Sequence, residues 1–118
     1  MKLYEIADVL NAEILAQGEN PELDIRSACG SDLMSDVMAY ISGSNFLLLT
    51  GLVNPQVVRT AEMMDIKAII FVRGKKPDKN IIAMAEERGI AVMSTDYPMF
   101  IACGKLYGAG IVGRCAEN

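Results

Sequence analysis

The chain contains no histidine at all. That absence removes the commonest general base and the commonest metal ligand together. Cysteine is scarce: Cys29, Cys103 and Cys115 are three, an odd number, and no two stand in a Cys-x-x-Cys pair. Such spacing offers neither a zinc site nor a disulfide framework. Positive charge is also short. Eleven Lys and Arg against 15 Asp and Glu leave a net charge of −4, with no basic stretch beyond Lys75-Lys76. Nucleic-acid binding needs a clustered positive face to displace counterions, so no nucleic-acid partner is expected. No run approaches the roughly 18 apolar residues that span a bilayer. The start, Met1-Lys2-Leu3-Tyr4-Glu5, lacks the apolar centre of a signal peptide. The expectation is a cytoplasmic chain with no membrane partner.

What is present is a core. At 118 residues, 52% apolar and 22% charged, the chain has the size and composition of one globular domain spanning 1–118. The apolar surplus calls for a sheet buried on both faces or for an oligomer interface. The eight methionines, including Met63-Met64, read as core filler or as part of a dimer face.

The hydrophobic pattern alternates between two periods. Leu3, Ile6, Val9 and Leu10 recur at helical spacing, and Glu13 to Ala16 reads as a brief strand. Ile25 to Cys29 is a second extended run, followed by a helical stripe of Leu33, Met34, Val37, Met38 and Ile41, with Ser31 or Asp32 placed to cap it. Phe46 to Thr50, Ala68 to Val72 and Ile90 to Met93 are continuous apolar runs of strand length. Asn54-Pro55 is a strong helix start, and Val57, Ala61 and Met64 mark that helix's buried side. Ile81, Ile82 and Ala85 stripe the next helix, and Met99, Phe100, Cys103, Leu106 and Tyr107 the last. From Gly108 to Asn118 a loose, glycine-rich tail is expected. The alternation predicts a three-layer α/β/α fold around a mainly parallel sheet.

Gly108-Ala109-Gly110-Ile111-Val112-Gly113 matches the dinucleotide fingerprint letter for letter. The fingerprint works only between a strand and a helix; here a helix precedes it, so no dinucleotide cofactor is expected. A parallel sheet instead gathers the carboxyl ends of its strands on one edge, the usual place for a ligand. That edge should collect Ser31 and Asp32, Thr50, Gly51 and Asn54, Arg73 and Gly74, and Thr95 beside Asp96. Loops opening onto helix N-termini favour anions, and Arg73 adds a cation. The site would suit a small anionic or phosphate-bearing metabolite. Set against this, capping helices is the routine use of Ser31, Asp32, Asn54 and Asp96. Asp32 with Asp96 forms no legible acid–base or magnesium constellation, and Cys29 has no base to activate it. No catalytic residue, cofactor or metal site is read.

The stretches Ala28-Cys29-Gly30-Ser31-Asp32-Leu33-Met34-Ser35-Asp36 and Leu48-Leu49-Thr50-Gly51-Leu52-Val53-Asn54-Pro55-Gln56 resemble DRTGG-domain proteins. Ile69 to Gly74 and Ser94 to Phe100 extend the likeness over nearly the whole chain. The five-letter string itself does not occur contiguously; Thr50-Gly51 stands for its threonine-glycine, and Leu52 replaces the second glycine. The resemblance implies a fold similar to the N-terminal domains of HPr kinase/phosphorylase and, more distantly, of Mur ligases. It implies no established catalysis. Such domains accompany CBS domains in certain pyrophosphatases and sit in the regulatory part of some phosphotransacetylases. The expectation is a non-catalytic regulatory or sensing module, homodimeric, binding a small anionic ligand. The alternative is a protein-interaction module acting on a separate enzyme or regulatory protein; a small enzyme ranks last.

Overall fold

The computed structural model describes residues 1–41 and 44–113, Tyr40 through its main chain alone. Ten elements follow in chain order: α1 (Leu3–Leu10), β1 (Glu13–Ala16), β2 (Ser27–Gly30), α2 (Met34–Tyr40), β3 (Phe46–Thr50), α3 (Pro55–Met63), β4 (Ala68–Phe71), α4 (Lys79–Glu87), β5 (Ala91–Ser94) and α5 (Met99–Gly108). The strands form one five-stranded sheet in the order β1-β5-β4-β3-β2. From β2 to β5 all pairing is parallel, with Gly30 opposite Leu49 and Thr50 opposite Phe71. β1 closes the far edge antiparallel to β5, its register broken between Ile14 and Ala16.

Two apolar layers sandwich the sheet. In β3, Phe46 and Leu48 pack among Met34, Val37, Val57, Ala61, Ile81 and Ala85, the inner sides of α2, α3 and α4. Leu47 and Leu49, one residue out of phase, pack on the other face with Leu3, Ile6 and Leu10 of α1 and Ala102 and Leu106 of α5. Period-two alternation with both faces covered is what an all-apolar strand run requires. Phe71, Leu48 and Ile70 are fully buried.

Two local readings are corrected. α2 is not capped by Ser31 or Asp32: its N-cap is Leu33, which makes no side-chain cap bond. Nor does Asp96 cap α5, whose N-cap is Pro98. The loose tail expected from Gly108 also differs from the structure as far as Gly113. Gly108 ends α5, Ile111 is buried, and Val112 bridges in parallel to Ser27. The Val112 N–H donates to Arg26 O, and its carbonyl accepts from the Ala28 N–H. Residues 114–118, Cys115 among them, lie outside the described residues.

Candidate functional site

Because β2 to β5 run parallel, their carboxyl ends deliver four loops to one edge of the sheet. These carry Ser31 and Asp32 after β2, Thr50 to Asn54 at the end of β3, Arg73 and Gly74 after β4, and Thr95 and Asp96 after β5. The strand order never reverses along this run, and α2, α3 and α4 pack on the same face. The open crevice that doubly wound sheets form at a reversal is therefore absent. Instead the loops close on one another.

The pairing of Gly30 with Leu49 brings Asp32 beside the turn after β3. One Asp32 carboxylate oxygen accepts from the Gly51 N–H at 2.6 Å and from the Thr50 hydroxyl at 3.2 Å. The Thr50 oxygen in turn accepts from the Leu52 N–H at 3.1 Å. The second Asp32 oxygen faces the Arg73 guanidinium at 3.8 Å, with both side chains about half exposed. A Cβ at Gly51 would run into the guanidinium, so a larger residue here would make the half-exposed Arg73 side chain swing away from Asp32.

Arg73 is held in an unusual way. Its φ is +60°, and the three other non-glycine residues with positive φ among the described residues are Asn11, Asn45 and Asp65. Asn and Asp tolerate the left-handed region; a long side chain is strained there. Two main-chain bonds hold the strain in place: the Arg73 N–H donates to Tyr97 O and the Gly74 N–H to Thr95 O, each at 2.8 Å. The β4 loop is thereby laced to the β5 loop, and the guanidinium lies over the Gly51–Asp32 contact.

Ser31, Asn54 and Thr95 also reach this edge, with their polar atoms turned to internal partners. Ser31 Oγ accepts from the Leu33 N–H and donates to Leu33 O. Asn54 Oδ1 accepts from the Val57 N–H and caps α3. The Thr95 hydroxyl, buried, donates to Leu10 O at 2.6 Å and ties the end of α1 to the rim. Asp78, which caps α4 by accepting from the Ile81 N–H, went unread in the sequence although Asp78 before a helical stripe was the available signal. Beside Leu10, Asn11, Thr95, Asp96 and Tyr97 the rim holds a shallow hollow of ≈ 70 Å³. A larger hollow of ≈ 280 Å³ lies at the opposite end of the strands, between Leu3, Gly18, Glu19 and Lys67.

Cys29 and Cys103 are the cysteines among the described residues. Burial pushes the Cys29 thiol up from its ordinary value, with the neighbouring Cys103 and Asp36 adding to it, and burial alone raises Cys103. Raised thiols are inert ones. Among the described residues there is no group of three acidic or cysteine side chains placed to hold a metal ion, and no helix is long and apolar enough to cross a membrane.

Fold and rim together define a three-layer α/β domain whose edge presents one strained arginine over a carboxylate-filled turn. The chain belongs to the DRTGG domain family, whose model matches residues 5–106. Its structure is similar to that of the CBS and DRTGG domains of the regulatory region of Clostridium perfringens pyrophosphatase, complexed with the activator diadenosine tetraphosphate. The TM-score is 0.76 at 21% identity, over 89% of this chain and 45% of that one, so the chain spans about half of that protein's length. At this identity the likeness establishes the fold. Among curated proteins no sequence match is found.

Proposed function

We propose that this chain is a non-catalytic, cytoplasmic regulatory module that senses a small phosphate-bearing ligand at the carboxyl-end rim and works as a homodimer. The observation that carries the ligand half is Arg73. A cationic side chain held on strained backbone by two main-chain bonds is a feature the fold alone does not need. Around it, the Gly51 N–H and the Thr50 hydroxyl are already arranged to serve an anion, which at present is the Asp32 carboxylate. The similar regulatory region from C. perfringens is complexed with a phosphate-rich nucleotide activator, which supports the same chemical class here. The shallow rim suits an anionic group more than a wholly engulfed molecule.

The test is calorimetry and thermal shift against a panel of nucleotides, dinucleoside polyphosphates and acyl phosphates. Wild type is expected to respond to at least one member and Arg73→Ala to lose that response. Silence across the panel, or a variant indistinguishable from its parent, overturns the ligand reading.

A second reading, a module that binds only protein, is favoured by one specific observation: Phe100 on α5 is 87% exposed. A ligand-silent protein that still self-associates or captures an enzyme would establish it.

A further inference from the structure

We infer that a second copy of this chain packs across the outer face of α5, and that this face is the interface of the homodimer proposed above. α1, α3 and α4 each bury an apolar stripe and turn mainly polar residues outward, Tyr4 and Met63 being exposed apolar side chains among them. α5 does not. Its sequence Met-Phe-Ile-Ala-Cys-Gly-Lys-Leu-Tyr-Gly carries a single charge, Lys105, in ten residues. One side of it, Ala102 and Leu106, is buried against the sheet. The opposite side presents Phe100 (87% exposed), Ile101 (44%) and Tyr107 (73%). A helix apolar around its whole circumference belongs in an interior, and the single chain covers only half of this one.

Spacing makes the exposed side one surface. Gly104 lies four residues after Phe100 and four before Gly108, and Tyr107 three after Gly104, which places them on a common face. Tyr107 then continues into an apolar groove of ≈ 210 Å³ that it shares with Val112, Leu106 and Ile111. The face thus offers projecting aromatics and recesses together, as a twofold, self-complementary contact needs. Gly104 fits the same scheme. It sits mid-helix, where glycine is unfavourable, and a Cβ there would meet nothing among the described residues. Its smallness serves no packing among the described residues, and it permits close approach of a second backbone.

The area available reaches what a dimer contact needs. Two aromatics of 150–250 Å² each, with half-exposed Ile101 and Val112, supply roughly 500 Å² per copy. Doubled by the twofold axis, that reaches roughly 1,000 Å², the lower limit for a specific interface. The chain's net charge of −4 adds to the argument, because two copies repel wherever carboxylates meet and α5 carries none.

The experiment is sedimentation velocity and light scattering on the full chain across micromolar concentrations. Wild type is expected at twice its 12.8 kDa mass. Phe100→Glu should weaken the dimer by roughly thirtyfold, the effect of a central interface aromatic, while circular dichroism and melting show an intact monomer. Gly104→Leu distinguishes close packing from stickiness: added apolar bulk would strengthen adventitious association, and here it should weaken the dimer. Met63→Glu, on exposed α3, should leave the dimer unchanged. A wild type that stays monomeric overturns both this inference and the homodimer reading. A wild-type dimer that tolerates Phe100→Glu and Gly104→Leu overturns the α5 assignment alone.

Discussion

Arg73 holds a backbone conformation that costs a non-glycine residue about 1–2 kcal/mol, and its neighbours Tyr97 and Thr95 keep it there through main-chain bonds that any residue could make. Stability and ligand response should therefore separate at this position. Arg73→Gly removes the strain along with the charge. Its unfolding free energy should stay level or rise by up to about 1 kcal/mol in urea titrations, while the response to phosphate-bearing ligands disappears. A variant that loses stability would mean that the guanidinium's contact with Asp32 outweighs the strain. The two half-buried thiols carry a pH signature of their own. Cys29 and Cys103 have folded-state values above the 9.0 of an unperturbed thiol, so the fold favours their protonated forms. Their contribution is complete below pH 9.0 and falls as pH rises through the folded-state values. Stability should decline in that alkaline range, and Cys29→Ser with Cys103→Ser should flatten the decline. Unfolding midpoints measured from pH 7 upward check this.

At the scale of elements, helix starts show what is legible in a sequence and what is not. Asn54-Pro55 is a local signal and the structure honours it, with Asn54 accepting from the Val57 N–H. Asp32 carries an equally good capping side chain and does something else. Its partner, the Gly51 N–H, is 19 residues away and becomes adjacent only when β2 pairs with β3 in register. No window along the chain contains that choice. The same limit explains the sheet. β3, β4 and β5 were readable from their apolar runs and β1 and β2 as short extended segments, whereas the order β1-β5-β4-β3-β2 and the antiparallel β1 depend on pairing between distant segments. The site was legible to a similar depth: the loops that meet at the rim followed from parallel strands, and Asn54 from its capping signal, whereas the inward turn of Thr95 onto Leu10 O did not. Asp78 is the cap to test. Asp78→Ala leaves the Ile81 N–H without its acceptor at 2.9 Å and should lower the unfolding free energy by about 1 kcal/mol. Asp78→Ser should recover most of that loss in the same denaturant titration.

For the molecule as a whole, the two sheet edges are handled differently. β1 guards one edge by being short and irregular in register. β2 would be an open parallel edge, with the Ala28 N–H and Arg26 O facing outward, were it not for the chain returning after α5. Ile111 anchors that return in the layer shared with α1 and α5, at 4% exposure, and Val112 makes both edge bonds. Anchor and bonds should fail together, since two hydrogen bonds worth about 1 kcal/mol each do not hold a strand without the buried side chain between them. Ile111→Ala is expected to lower the unfolding free energy by about 2–4 kcal/mol, the range for emptying a buried isoleucine site. The more specific readout is amide exchange. The Ala28 N–H bonds to Val112 O across the edge, whereas the Ala102 N–H bonds to Pro98 O within α5. In Ile111→Ala the Ala28 amide should exchange much faster while Ala102 tracks the global change. Equal acceleration at both would show that the segment contributes to the core and leaves the edge closed by other means.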